Sequence, residues 1–170
     1  MLKSYTIATG NYESTKSAAD ILDNGGNAYD AILGALFMSF VCEPLLSSPG
    51  GGGYLLAHPI DKPAKIFDFF AQTPHNKNFN EKDFYPIQGD FGETQQEFHI
   101  GMASAATPGI PAGIFAIHHH YGSMPLIDIA RAAIEKAKTG MVVSQLHAEV
   151  IQILTPILEH SCYAKDVFSN

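Results

Sequence analysis

The sequence predicts a layered α+β fold, and three observations carry that expectation. Residues Ala31 to Val41 are apolar on every helical face, two short apolar runs at 54–58 and 64–70 flank a turn of hairpin length, and helical patterns fill the second half of the chain. A helix with no polar face is normally buried on all sides, so it belongs at the centre of a layered structure. A hairpin pairs its strands antiparallel, which separates this chain from purely parallel sheets. At 170 residues the chain is long enough for one domain with a real core, or for a part of something larger.

Taken in order, Tyr5-Thr6-Ile7-Ala8 is β-prone, and a helix follows with Ser14 as its expected N-cap and Ala18, Ala19, Ile21 and Leu22 on one side. Asn24-Gly25-Gly26 supplies the stop. Asn27 can cap the apolar helix, with Asp30 placed where its charge favours the positive helix end, and Glu43-Pro44 ends it. The loop from Leu45 carries four consecutive glycines, Gly50 to Gly53, and leads into the hairpin strands, which are joined by Pro59-Ile60-Asp61-Lys62-Pro63.

From Ala71 to Glu97 the chain is polar and turn-rich with no sustained period, which predicts a lid, a binding loop or a mobile segment. Phe98 to Ala105 is a candidate strand. Thr107-Pro108 then opens a helix that Gly122 stops, and Pro125 opens another that Gly140 stops. The last helix is expected from Ser144 to about His160, with Leu146, Val150, Ile153, Leu154, Ile157 and Leu158 as its apolar side and a kink at Pro156.

Composition narrows the function. Hydrophobic residues make up 46% and charged residues 16%, a globular balance. A net charge of −7 with scattered Lys and Arg argues against a nucleic-acid partner. The longest apolar stretch is too short for a bilayer, which takes about 20 residues. Met1 to Thr6 has no apolar run of the secretory kind, so the expectation is a cytoplasmic protein, or a periplasmic one had a leader been removed. Cys42 and Cys162 stand outside any paired metal or redox spacing, and Cys42 reads as a buried thiol.

The glycine run is followed by Tyr54 and a strand, not by Lys-Ser/Thr and a helix, so it reads as a place where two backbones pass closely. The triplet His118-His119-His120 cannot converge on one ion, because helical neighbours diverge by about 100° each. Asp68 reads as a hydrogen-bonded structural carboxylate, with support of a site as its second possibility. No metal site is assigned.

Several stretches, taken in order, resemble the start of the large subunit of γ-glutamyltransferases. Gly25-Gly26-Asn27-Ala28-Tyr29-Asp30-Ala31 is similar to that family's GGNAxDA segment. Glu43-Pro44 followed by Ser47-Ser48-Pro49-Gly50-Gly51-Gly52-Gly53-Tyr54 is similar to VEP…SGIGGGGF. Thr107-Pro108-Gly109 to Gly113, then His120-Tyr121-Gly122 and Pro125-Leu126, is similar to VPGxxAGxxxxHxxYGxLPW. Order and spacing agree from Thr9 to Val143.

The resemblance implies an αββα N-terminal-nucleophile (Ntn) hydrolase fold, of which residues 1–170 are a single partial domain at the N-terminal end of the large subunit. It implies a self-cleaving precursor that frees a threonine, whose hydroxyl attacks a γ-glutamyl amide while its own amine serves as base. No cofactor is called for. The implied partners are the remainder of the large subunit, the small subunit and a γ-glutamyl or related amide substrate.

Two departures stand out. No Thr-Thr-His-type segment occurs here, so no catalytic residue is assigned and the chain alone is expected to be inactive. The family carries Asp-Phe-Arg-Glu on the strand after the glycine loop, where the arginine clamps a carboxylate. Here the strand reads Asp68-Phe69-Phe70-Ala71-Gln72-Thr73, with Phe70 in the arginine's place. This points to a divergent branch, with Phe70, Gln72 and Thr73 expected to line the substrate wall. The apolar faces of such a piece predict self-association. The rival reading is a non-catalytic remnant that binds a partner or small ligand through residues 71–97.

Overall fold

Asn11, rather than Ser14, opens the first helix: its side chain accepts a hydrogen bond from the Glu13 amide, and helix α1 runs Tyr12–Asp23. Ser14 is instead turned inward and buried, which is why it is not available as a cap. In this computed structural model, which describes residues 4–75 and 83–168, the second cap is the one the sequence indicates. Asn27 accepts from the amides of Tyr29 and Asp30, and Asp30 accepts in return from the Asn27 amide, a capping box that starts helix α2, Ala28–Cys42.

The described residues form two compact units, Met1–Gln72 with Pro108–Val142, and Thr73–Thr107 with Val143–Asn170. In the first, α2 is the hub. It is packed against α1, against α3 (Ile110–Tyr121) and against α4 (Leu126–Thr139). Ala31, Leu33 and Ala35 of α2 join Ala18 and Ile21 of α1, Ile110, Ile114 and Ile117 of α3, and Ile129 of α4 in one core. The sequence pattern predicts burial on every side, and one flank departs from it. Ile32 is 42% exposed, because no described element covers that flank of α2.

The hairpin is as expected. Strand β1, Tyr54–Ala57, pairs antiparallel with β2, Lys65–Asp68, in the register Tyr54↔Asp68, Leu55↔Phe67, Leu56↔Ile66, Ala57↔Lys65. Ala57 and Phe67 point into the core. On the opposite face Tyr54, Leu56 and Ile66 are exposed. Tyr5 to Ala8 forms no strand among the described residues. A β-prone segment needs a neighbour to accept its ladder of hydrogen bonds, and none is present, although Ile7 packs on the core.

The second unit departs most from the sequence reading. Where 71–97 reads as a structureless loop, strands β3 (Tyr85–Asp90) and β4 (Gln95–Ile100) form an antiparallel hairpin. Residues 76–82 of that stretch lie outside the described residues. Tyr85, Ile87, Phe98 and Ile100 share one half-buried face, with Pro86, Gln88, Glu97 and His99 on the exposed one. Two apolar residues per strand beside Pro86 and Gly89 are too short an alternation to mark the strands. The strand expected at 98–105 is therefore β4 displaced toward the N-terminus, followed by a short 3-10 turn, Met102–Ser104.

Helix α3 begins at Ile110 after Gly109, and Pro111, not Pro108, holds the first-turn position. Gly122 and Gly140 end α3 and α4 as expected. Helix α5, Gln145–Leu158, is capped by Ser144 and takes Pro156 in its last turn. Its apolar row is half-covered: Val150, Ile153, Leu154, Ile157 and Leu158 are half-buried, with α5 packed against β3, while Leu146 at the start of the row is exposed. A short α6, Cys162–Phe168, follows without a sequence signal. Helix and strand are thus mixed in an α+β arrangement.

Candidate active-site wall

Three backbones meet at the glycine run. The Gly53 amide donates to the Phe69 carbonyl at 3.2 Å and the Phe69 amide donates back to Gly53 at 3.1 Å. The Gly51 carbonyl accepts from the amides of Gly109 and Ile110 at 3.0 and 3.2 Å. This knot requires glycine at two of its points. A Cβ on Gly52 would stand 2.1 Å from the Ala71 nitrogen, and one on Gly109 would stand 1.9 Å from the Phe69 oxygen. Those are backbone atoms that cannot rotate aside, which is the close passage the glycines indicate in the sequence.

The knot fixes the end of β2 and hence Phe70. The Phe70 amide donates to its neighbour Asp68 at 3.1 Å, and its ring stacks on Tyr54 at 5.5 Å between centroids with 17° between planes. Register explains the pair, since Tyr54 faces Asp68 across the hairpin and Phe70 lies two residues further along the same face. Both rings are solvent-exposed. Gln72 donates from Nε2 to the Phe70 carbonyl at 3.3 Å, and its side chain is otherwise exposed. Thr73 is exposed and belongs to the second unit. Asp68 is exposed rather than buried, and its role here is to order the Phe70 backbone.

A pocket of 280 Å³ lies beside the knot, lined by Leu45, Leu46, Ser48, Gly52, Tyr54 and Ile110 among others. No lysine or arginine lines it. The Gly52 amide donates to none of the described residues. A second pocket of 340 Å³ opens on the bare flank of α2 and is mainly apolar, with Thr9, Ser14, Ser39 and Glu43 as its polar members. The Ser14 hydroxyl is buried there without a hydrogen-bond partner among the described residues.

Asp30, in the first turn of α2, is fully buried. Its carboxylate accepts from the Ser123 hydroxyl at 2.5 Å and from the amides of Asn27 and Ser123 at 3.0 Å each, with Met124 at 3.4 Å. Burial by itself would raise its pKa, but these donors outweigh burial and hold the carboxyl below the ordinary value. The start of α2 is thereby tied to the α3–α4 turn.

Burial pushes the Cys42 thiol up. The histidines of α3 point to different groups: His118 Nε2 lies 2.8 Å from the Met124 carbonyl and His120 Nδ1 lies 2.9 Å from Ala116. Sequence reasoning missed Tyr54 as the partner of Phe70 and Ser123 as the partner of Asp30. The first was reachable from hairpin register; the second, 93 residues apart in the chain, had no local signal.

Residues 14–170 match the family model described as Gamma-glutamyltranspeptidase. Glutathione hydrolase proenzyme of Escherichia coli strain K12 is 27% identical over 143 residues, covering 84% of this chain and 24% of that protein. Capsule biosynthesis protein CapD proenzyme of Bacillus anthracis is 30% identical over 139 residues, covering 82% of this chain and 22% of that protein. The chain therefore spans about a quarter of the relatives' length.

Among solved structures, the B. anthracis transpeptidase enzyme CapD superposes with a TM-score of 0.70 at 27% identity, over 91% of this chain and 45% of that one. Helicobacter pylori gamma-glutamyltranspeptidase superposes with a TM-score of 0.78 at 23% identity, over 98% of this chain and 47% of that one, a likeness of fold. The family match covers residues 14–170, nearly the whole chain, so the chain belongs to the gamma-glutamyltranspeptidase family, as an N-terminal region of that family's Ntn-hydrolase fold.

Proposed function

We propose that this chain is the N-terminal part of the large subunit of an enzyme that hydrolyses or transfers the acyl group of a γ-glutamyl or related amide, and that it builds one wall of the donor pocket without supplying the nucleophile. The observation that carries the reading is the glycine knot. It locks Phe69 and Phe70 beside a pocket, in a chain that matches the family over residues 14–170.

Pre-organisation is the contribution such a wall makes. A site residue held by backbone hydrogen bonds on a strand end needs little reordering when substrate arrives. The nucleophile, the general base and the oxyanion donors would come from the rest of the enzyme, and the relatives named as proenzymes support a processed precursor. The relatives' names range from glutathione hydrolase to CapD and acylase, so the acyl donor of this branch is a matter for this chain's own residues.

The test is an assay of γ-glutamyl p-nitroanilide turnover by the purified chain, alone and mixed with a polypeptide carrying the family's remaining segments. No turnover is expected from the chain alone, and turnover is expected on reconstitution. Robust turnover by the chain alone would overturn the proposal. A chain that stays inert when reconstituted, yet captures a ligand through residues 71–97, would replace it with the non-catalytic binding reading.

A further inference from the structure

We infer that Tyr54 and Phe70 together form the surface that recognises the donor's side chain, and that this surface selects an uncharged aromatic or aliphatic group over a carboxylate; the inference rests on the donor-wall reading above. The two rings are already stacked in offset fashion at 5.5 Å, so a plate is present before any ligand arrives. Phe70 is 51% and Tyr54 63% exposed, leaving ring area free to be covered. Tyr54 also lines the 280 Å³ pocket, where the Ser48 hydroxyl and the uncommitted Gly52 amide could address an amide carbonyl. An apolar surface beside a few convergent polar groups is the usual make-up of a small-molecule site.

The charges around the plate point the same way. Asp68 lies directly across from Tyr54 on the same exposed face. The cation nearest in the strand, Lys65, is on the opposite face with its ammonium 4.8 Å over the Phe67 ring. A carboxylate brought to the plate would lose water and meet rings and an anion, with no fork of donors to replace the solvent. A phenyl or alkyl group meets no such penalty. Leu56 and Ile66 continue the apolar face away from the glycine knot, but the pocket's polar groups stand only at the Tyr54 end.

The experiment titrates phenylacetamide and L-glutamine, separately, into the 170-residue chain and follows ring-labelled Tyr and Phe signals by NMR. Phenylacetamide should give saturable shifts centred on Tyr54 and Phe70, with glutamine weaker by about fivefold or more. Phe70→Ala should weaken phenylacetamide by a similar factor, whereas Phe70→Tyr, which keeps the ring, should not. The inference is overturned if glutamine binds as tightly as phenylacetamide, if Phe70→Ala leaves phenylacetamide unchanged, or if the native-dispersed chain binds neither. Any of those outcomes leaves the donor-wall reading standing, since turnover on reconstitution decides that separately.

Discussion

The two compact units of this chain are built to different standards. Every buried hydrophobic residue among those described, from Ala18 to Ala133, lies in Met1–Gln72 or Pro108–Val142. In Thr73–Thr107 and Val143–Asn170 the buried residues are Gly89 and His147 alone among those described. The first unit therefore has a fully buried core of its own, while the second is held by a hairpin ladder, by the half-buried side of α5 packed against β3, and by contacts such as the 2.5 Å bond between the Tyr85 hydroxyl and His160. Without buried apolar area a two-stranded hairpin is marginal in water. The difference teaches where recognition by sequence succeeds: the glycine knot, the capping box and the HYG turn all sit in the unit that packs.

The two free cysteines give the sharpest probe of this contrast, one in each unit. Cys42 is fully buried in the first and Cys162 is exposed in the second. A thiol reagent should label Cys162 at once, with Cys42 slower by about a thousandfold or more, because labelling it requires the core to open. Comparable rates at both sites would erase the comparison. Amide exchange should divide along the same line, with α2 slowest and β3–β4 fast.

Glycine substitutions come next in size. Gly109→Ala would set a methyl 1.9 Å from the Phe69 oxygen, and should cost roughly 4 kcal/mol or prevent folding. Gly92→Ala in the second unit meets open space and bears only the strain of its positive φ, about 1 kcal/mol. Thermal unfolding of the two variants checks the ratio, and equal losses would show that the knot is not where stability resides.

Asp30→Asn should cost about 3 kcal/mol, since it weakens a buried carboxylate's contacts to Ser123, Asn27 and Met124. The pH dependence follows from the direction of the shift. The folded carboxyl titrates below its unfolded value, so its stabilisation is present above the unfolded pKa and is lost as pH falls through the folded one. Chemical denaturation from pH 7 downward should show this loss in the parent chain, and a flatter profile in the variant.

The smallest effect concerns association. Tyr54, Leu56, Ile66 and Ile32 are exposed on the first unit, and contiguous apolar area of that kind favours contact between copies. Sedimentation of the parent chain should show concentration-dependent self-association, and Leu56→Asp with Ile66→Lys should weaken it by about tenfold. A parent chain that stays monomeric at high concentration would remove self-association from the account.

By itself the sequence determined the α+β class, the capped apolar helix, the first hairpin and the helix stops, because these follow from local caps, turn residues and period. It also carried the family, through motifs spread from Gly25 to Leu126. It did not carry β3 and β4, whose half-buried face has only Tyr85 and Ile87 on one strand and Phe98 and Ile100 on the other, too short an alternation to read, nor the inward turn of Ser14 that passed the cap to Asn11.

Only tertiary structure decided that Gly52 and Gly109 touch the end of β2 and that Asp30 holds Ser123 from across the chain. The physical reason is common to both. Each joins separate elements, and its existence depends on how close the core lets two backbones come, a distance that no local pattern encodes.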